Sequence, residues 1–166
     1  MNKIGMYYSY WIDNWEATYS SFVPMVADLG FDIFEINSSR LFAAGSQELE
    51  KLKQSAEEKQ IELTYCTALS KDNDISSENA GIRTGGIELL KKNLRLIHDM
   101  GGSTLSGVIY GAWGQSLDGP LTNKSDHLGT WCQIFISDLF CRYFHASVLS
   151  FFRFSFITLT CCLGDE

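Results

Sequence analysis

The chain reads as an α/β protein in which short strands alternate with helices along a parallel sheet, and three observations predict this. Candidate strands recur near residues 4–10, 31–37, 61–67 and 104–110, each separated from the next by a helical stretch. A repeat of that kind demands parallel strands joined by right-handed crossovers. Within 85–113, Leu89, Leu90, Asn93, Leu94, Ile97 and Met100 fall at helical spacing and share one apolar face. Gly101 and Gly102 follow at once, where a helix stops on a residue tolerant of positive φ, and a nearly uncharged, β-branched and aromatic run at 104–110 comes next. Such a run predicts a strand buried on both faces.

The elements follow in order. IGMYYSY at 4–10 predicts the first strand. Asp13 or Asn14 is placed to cap a helix whose face is Trp15, Tyr19, Phe22, Val23, Val26 and Leu29. Pro24 interrupts that pattern, so the helix kinks or effectively begins near Ser20, and Gly30 ends it. FDIFEIN at 31–37 is the second strand and 38–45 a loop. Ser46 then caps a helix to about Lys59, with Leu49, Leu52 and Ala56 inward. IELTYCT at 61–67 is the third strand, and the polar stretch 68–79 is a surface connection.

Length and composition set limits on function. One domain of 166 residues builds a real core. A net charge of −7 argues against nucleic acid, whose phosphates reward Lys and Arg. The start lacks the apolar run and small-residue cleavage site of a signal peptide, and the five cysteines read as reduced thiols, which implies a cytoplasmic protein. After Gly129 the text changes. Residues 130–166 hold four cysteines (Cys132, Cys141, Cys161, Cys162), seven of the 11 phenylalanines and no lysine, with no sustained period. Asp138, Arg142, His145 and Arg153 interrupt every window of the ~20 residues a membrane span requires. A shifted reading frame or a read-through intron produces such a run. The expected organisation is therefore a domain over 1–128 and an atypical Phe/Cys-rich tail over 129–166, outside the native fold.

Five stretches in order, IGMYYSYW, LGFDIFEIN, ELTYCTALS, IRTGGIELLKKNL and GVIYGAWG, resemble the start of the ketose 3-epimerases that act on D-tagatose and D-psicose (allulose), in the xylose-isomerase-like barrel superfamily. The resemblance covers roughly 3–128. It implies the N-terminal half of a (β/α)₈ barrel, a free ketohexose substrate such as D-tagatose, D-psicose or D-fructose, and a divalent Mn²⁺ or Mg²⁺. It also implies homo-oligomers of the intact relatives, and no membrane partner. Epimerisation at C3 needs one carboxylate to remove a proton, another to return it from the opposite face, and a cation to stabilise the enediolate. In the family those groups lie in the second half of the barrel, beyond the point where this text departs, so the chain is expected to lack them and to be inactive. The alternative is a non-catalytic product with at most weak sugar binding.

What carries over by resemblance is a substrate wall of Tyr7, Cys66, Val108 and Trp113, in the region of strand C-termini where barrel sites sit. Each also has a plain structural reading. Tyr7 and Val108 suit barrel core, and Cys66, with no histidine near it in sequence, suits a small buried hydrophobe. Trp113, after a Gly-Ala turn, is the residue most in need of something to cover. Other constellations fail: Glu35 and Glu62 are lone strand carboxylates, Gly101-Gly102 precedes no helix, Cys161-Cys162 has poor zinc spacing, and SKDNDISSE lacks the calcium-loop pattern.

Overall fold

The structure, a computed structural model, describes residues 2–11, 18–114, 144–151 and 154–161. The expected caps Asp13 and Asn14, Trp15, the Gly129 boundary and Asp138, Arg142 and Arg153 lie outside them. The first four strands are parallel and alternate with helices, the pattern of half a TIM barrel. Contacts divide the chain into two compact units, Met1–Cys66 with Asp99–Gly102, and Thr67–His98 with Ser103–Glu166.

In the first unit, β1 (Gly5–Tyr7), β2 (Ile33–Asn37) and the start of β3 (Glu62–Leu69) pair in parallel, with Tyr7 opposite Glu35 and Glu35 opposite Thr64. The first strand is shorter than the sequence predicts. At Tyr8–Trp11 the chain tightens into a 3-10 turn that turns Tyr8 fully into the core. There its ring meets Tyr7 at 4.6 Å and Tyr19 at 5.2 Å, both edge to face. Burying a large aromatic outweighs two more ladder bonds.

Helix α1 (Val23–Asp28) carries Pro24 in its first turn, where no intrahelical N–H bond is lost, so the helix begins just after the expected point. Val23 and Val26 are buried, but Leu29 is 58% exposed, because the short helix ends before a further turn can bring it inward. The stretch expected as loop contains a one-turn helix, α2 (Ser38–Leu41), capped by the Asn37 side chain, which accepts from Ser39 N at 3.0 Å. Helix α3 (Ser46–Lys59) has Gly45, not Ser46, at its N-cap, and Leu52 and Ala56 are its buried positions. Its last carbonyls are met by the Gln60 N–H, with Gln60 left-handed at φ 58°. The core of this unit is Phe34, Ile36, Leu41, Leu52, Ile61 and Tyr65.

In the second unit the end of β3 is followed by a 3-10 turn at Lys71–Asn73 and helix α4 (Ala80–Asp99). Asn79 caps α4 by accepting from Gly81 N at 2.8 Å. Leu90, Asn93, Leu94 and Ile97 form its buried face, as their spacing predicts, and Gly101 follows at φ +79°. Strand β4 (Thr104–Ala112) alternates rather than being buried on both faces: Leu105, Gly107, Ile109 and Gly111 are buried, whereas Tyr110 is exposed. Gly107, at φ +118°, lets β4 approach so closely that a Cβ there would run into the Thr67 carbonyl oxygen. The tail, where no period is legible, contributes an antiparallel hairpin, β5 (Phe144–Phe151) with β6 (Phe154–Cys161), and β6 pairs antiparallel with β4 at Thr104–Thr160 and Leu105–Leu159. Among the described residues no helix is long and apolar enough to cross a membrane.

Candidate functional site

Strand alternation decides which side chains share a face. In the first unit, Phe34, Ile36 and Tyr65 lie on the buried side of the sheet. The opposite face carries three rows set by the register: Gly5, Ile33 and Glu62; then Tyr7, Glu35 and Thr64; then Asn37 and Cys66, toward the strand C-termini. The first row ends in an exposed ion pair, Glu62 with Lys3 at 2.6 Å. The upper two rows are polar, in a layer that a packed barrel core fills with branched apolar residues.

Tyr7 and Cys66, both implied by the resemblance, are brought together here. The Tyr7 phenol and the Cys66 thiol lie near enough for each to affect the other's protonation. Burial pushes the Cys66 thiol up to about 12, with the negative charge of Glu35 adding to the effect. Burial also holds the Tyr7 phenol far above its usual range, with Cys66 contributing next. Both groups therefore stay protonated at neutral pH, and Cys66 is no nucleophile. The backbone around them is fixed from behind. The buried Ser38 hydroxyl donates to the Cys66 carbonyl at 3.2 Å, and the Tyr19 hydroxyl donates to the Asn37 carbonyl at 3.4 Å. Ser38, Asn37 and Thr64 have no signature in the sequence, because only the strand register makes them neighbours of Cys66.

Val108 and Trp113 belong to the second unit. Val108 is half-buried on β4, on the face opposite Ile109. Trp113 N donates to the Leu69 carbonyl at 2.8 Å, which fixes the turn while its indole stays 66% exposed. Close by in the chain, the buried Asp74 carboxylate accepts from Ser76 N at 2.8 Å and Ser76 Oγ at 2.6 Å. The polar loop thus uses its acid to hold its own turn. His98 is exposed at the end of α4, and among the described residues no three His, Cys, Asp or Glu side chains converge as a metal site would require.

No protein-family model matches the chain. It is 30% identical over 125 residues to D-psicose 3-epimerase of Agrobacterium fabrum, an alignment covering 75% of this chain and 43% of that protein. It is 32% identical over 129 residues to D-psicose 3-epimerase of Ruminiclostridium cellulolyticum, covering 78% and 43% respectively. Among solved structures, a D-psicose 3-epimerase crystallised in the presence of D-fructose superposes with a TM-score of 0.68 at 29% identity, over 84% of this chain and 50% of that one. The chain thus spans less than half the length of these curated relatives.

Proposed function

This chain is a homologue of the N-terminal half of the D-psicose 3-epimerases, and from that lineage we propose that it forms the sugar-wall half of a ketose 3-epimerase, holding a free ketohexose without itself exchanging the C3 proton. The observation that supports the reading is the placement of Tyr7 and Cys66 by the register on one polar face of β1 to β3, toward the strand C-termini. In this reading Tyr7 and Cys66 face the ketose, the Tyr7 ring covering an apolar face of the sugar and the Cys66 thiol sitting against it as a neutral group. In the second unit, taken by itself, Trp113 suits a covering role because an exposed indole on an anchored turn is available to a ligand.

Epimerisation requires two carboxylates on opposite faces of C3 and, in the resembled family, a divalent Mn²⁺ or Mg²⁺ on the neighbouring oxygens. The described residues do not fit such an ion, since no three acidic, histidine or cysteine side chains converge among them. Tyr7 and Cys66 are no substitutes for the bases, because both stay protonated at neutral pH.

Deuterium wash-in at C3 of D-psicose with added Mn²⁺ tests the proposal, with calorimetric titration of the same sugar alongside. The expected result is saturable, weak binding with an exchange rate equal to that of a no-protein control. Losing a general base costs ~10²- to 10⁴-fold and losing an electrostatic stabiliser a further ~10²- to 10³-fold. Metal-dependent exchange above the control would overturn the inactive reading, and absence of sugar binding would overturn the wall.

A further inference from the structure

We infer that Asp74 is a positioning residue for Trp113: it holds the 70–79 connection against the end of β4, and so sets the direction in which the Trp113 indole meets a sugar. The inference rests on the ketose reading above and concerns the second unit alone. Three observations support it. First, polarity predicts 68–79 as a surface connection, yet Asp74 and Ile75 are buried. Second, two glycines let that connection close onto both of its neighbouring elements. A Cβ at Gly86 of α4 would run into the Asn73 carbonyl oxygen and come within 2.8 Å of Ile75 Cγ2. One at Gly111 of β4 would stand 3.2 Å from Ser76 Oγ and 3.7 Å from Asp74 Oδ1. Third, Trp113 follows Gly111 by two residues, and its N–H donates at 2.8 Å to the carbonyl of Leu69, just before the same connection.

A side chain on a turn covers a ligand well only when packing and hydrogen bonds fix the backbone beneath it, because ordering it at the moment of binding costs affinity. Asp74 supplies that fixing. Its Oδ1 accepts from Ser76 N at 2.8 Å and from Ser76 Oγ at 2.6 Å, and its carbonyl accepts from Ser77 N at 3.2 Å. Both side-chain bonds thus go to Ser76, the residue that lies against Gly111. A buried carboxylate is tolerated when donors meet it, and here the donors are those of its own turn. The far end of the connection is tied down by Arg83 of α4, whose Nη1 donates to the Ser77 and Glu78 carbonyls, each at 2.8 Å. Removing the Asp74 carboxylate takes the acceptor from Ser76 and frees the turn at the point where it touches β4. The segment that feels this is the one carrying Trp113, whose indole is exposed and answers to its backbone.

Fluorine NMR of the full chain labelled with fluorotryptophan tests this, the Trp113 signal being assigned by its loss in Trp113→Phe, with D-psicose titrated into each variant. Asp74→Ala should move or broaden the Trp113 signal and weaken D-psicose about fivefold, a coupling ordinary for neighbouring groups. In a Trp113→Phe background the same substitution should leave the affinity within about twofold, because the group it positions is gone. Asp74→Asn, which keeps an acceptor oxygen for Ser76, should restore most of both effects. Equal weakening in the two backgrounds would show a merely structural role and overturn the inference, as would an unmoved Trp113 signal in folded Asp74→Ala. If circular dichroism shows that Asp74→Ala is unfolded, Ser76→Ala, which removes only the hydroxyl beside Gly111, is read by the same signal and the same pair of backgrounds. No binding of D-psicose to the unaltered chain removes the ketose reading. The Trp113 signal then decides alone whether Asp74 sets that turn: a moved signal upholds the positioning, and an unmoved one overturns it.

Discussion

Cys66 shows how one residue's environment decides its chemistry. Its thiol is half-buried and is influenced by the Glu35 charge and by Tyr7, and burial is the largest of these effects. From the usual 9.0 its pKa rises to about 12. Alkylation by iodoacetamide should therefore be slow at pH 7.5 and rise about tenfold per pH unit well beyond pH 9, because only the thiolate reacts. Glu35→Gln removes a like charge and should shift that profile to lower pH. A profile with a midpoint near that of a free thiol would contradict the burial described here. The sign for stability follows from linkage. Between pH 9 and pH 12 the unfolded chain has lost this proton and the folded chain retains it, so stability falls as pH rises through that window. Tyr65, pushed up to about 12 by burial, acts in the same direction. None of this is legible in the one-dimensional text, where Cys66 is simply a cysteine without a histidine.

Among the elements, the ends of helices were the least readable part. The interior of α4 follows its apolar spacing at Leu90, Asn93, Leu94 and Ile97, with Leu89 at the margin and only half-buried, because a 20-residue amphipathic face leaves little choice. The end of α3 does not, since Gln60 occupies a left-handed position that glycine takes far more cheaply. Gln60→Gly should raise stability by about 0.5–1 kcal/mol, read as a higher urea midpoint at unchanged slope. A lower midpoint would mean that the Gln60 side chain makes contacts worth more than the backbone strain. In β1 the discrepancy is of another kind. IGMYYSY has the composition of a long strand, yet Tyr8 leaves the ladder after three residues for the Tyr7, Tyr19 and Phe34 aromatic cluster. Propensity is a weak prior there, and a tertiary partner 11 residues along the chain overrides it.

At the scale of the whole molecule, a described β1 pairs with β2 on one side, and Ile4 at its start is 61% exposed. An open strand edge with exposed apolar residues templates association. Static light scattering of the 18.7 kDa chain should accordingly give a concentration-dependent mass above the monomer, and a constant monomer mass across the concentration series would refute this. By itself the sequence determined the α/β repeat, the order of strands and helices, the buried faces of α3 and α4, and the kinship with the ketose 3-epimerases. All of these rest on periodicity and local motifs, which survive in one dimension. Only the tertiary structure decided that Tyr7 and Cys66 share a face, that Glu35 stands in the same polar row as Tyr7, that β4 is covered on one face, and that the Phe-rich tail contributes a hairpin. Those outcomes depend on strand register and on contacts between residues up to 59 positions apart, where a shift of one residue would exchange the two faces of a strand.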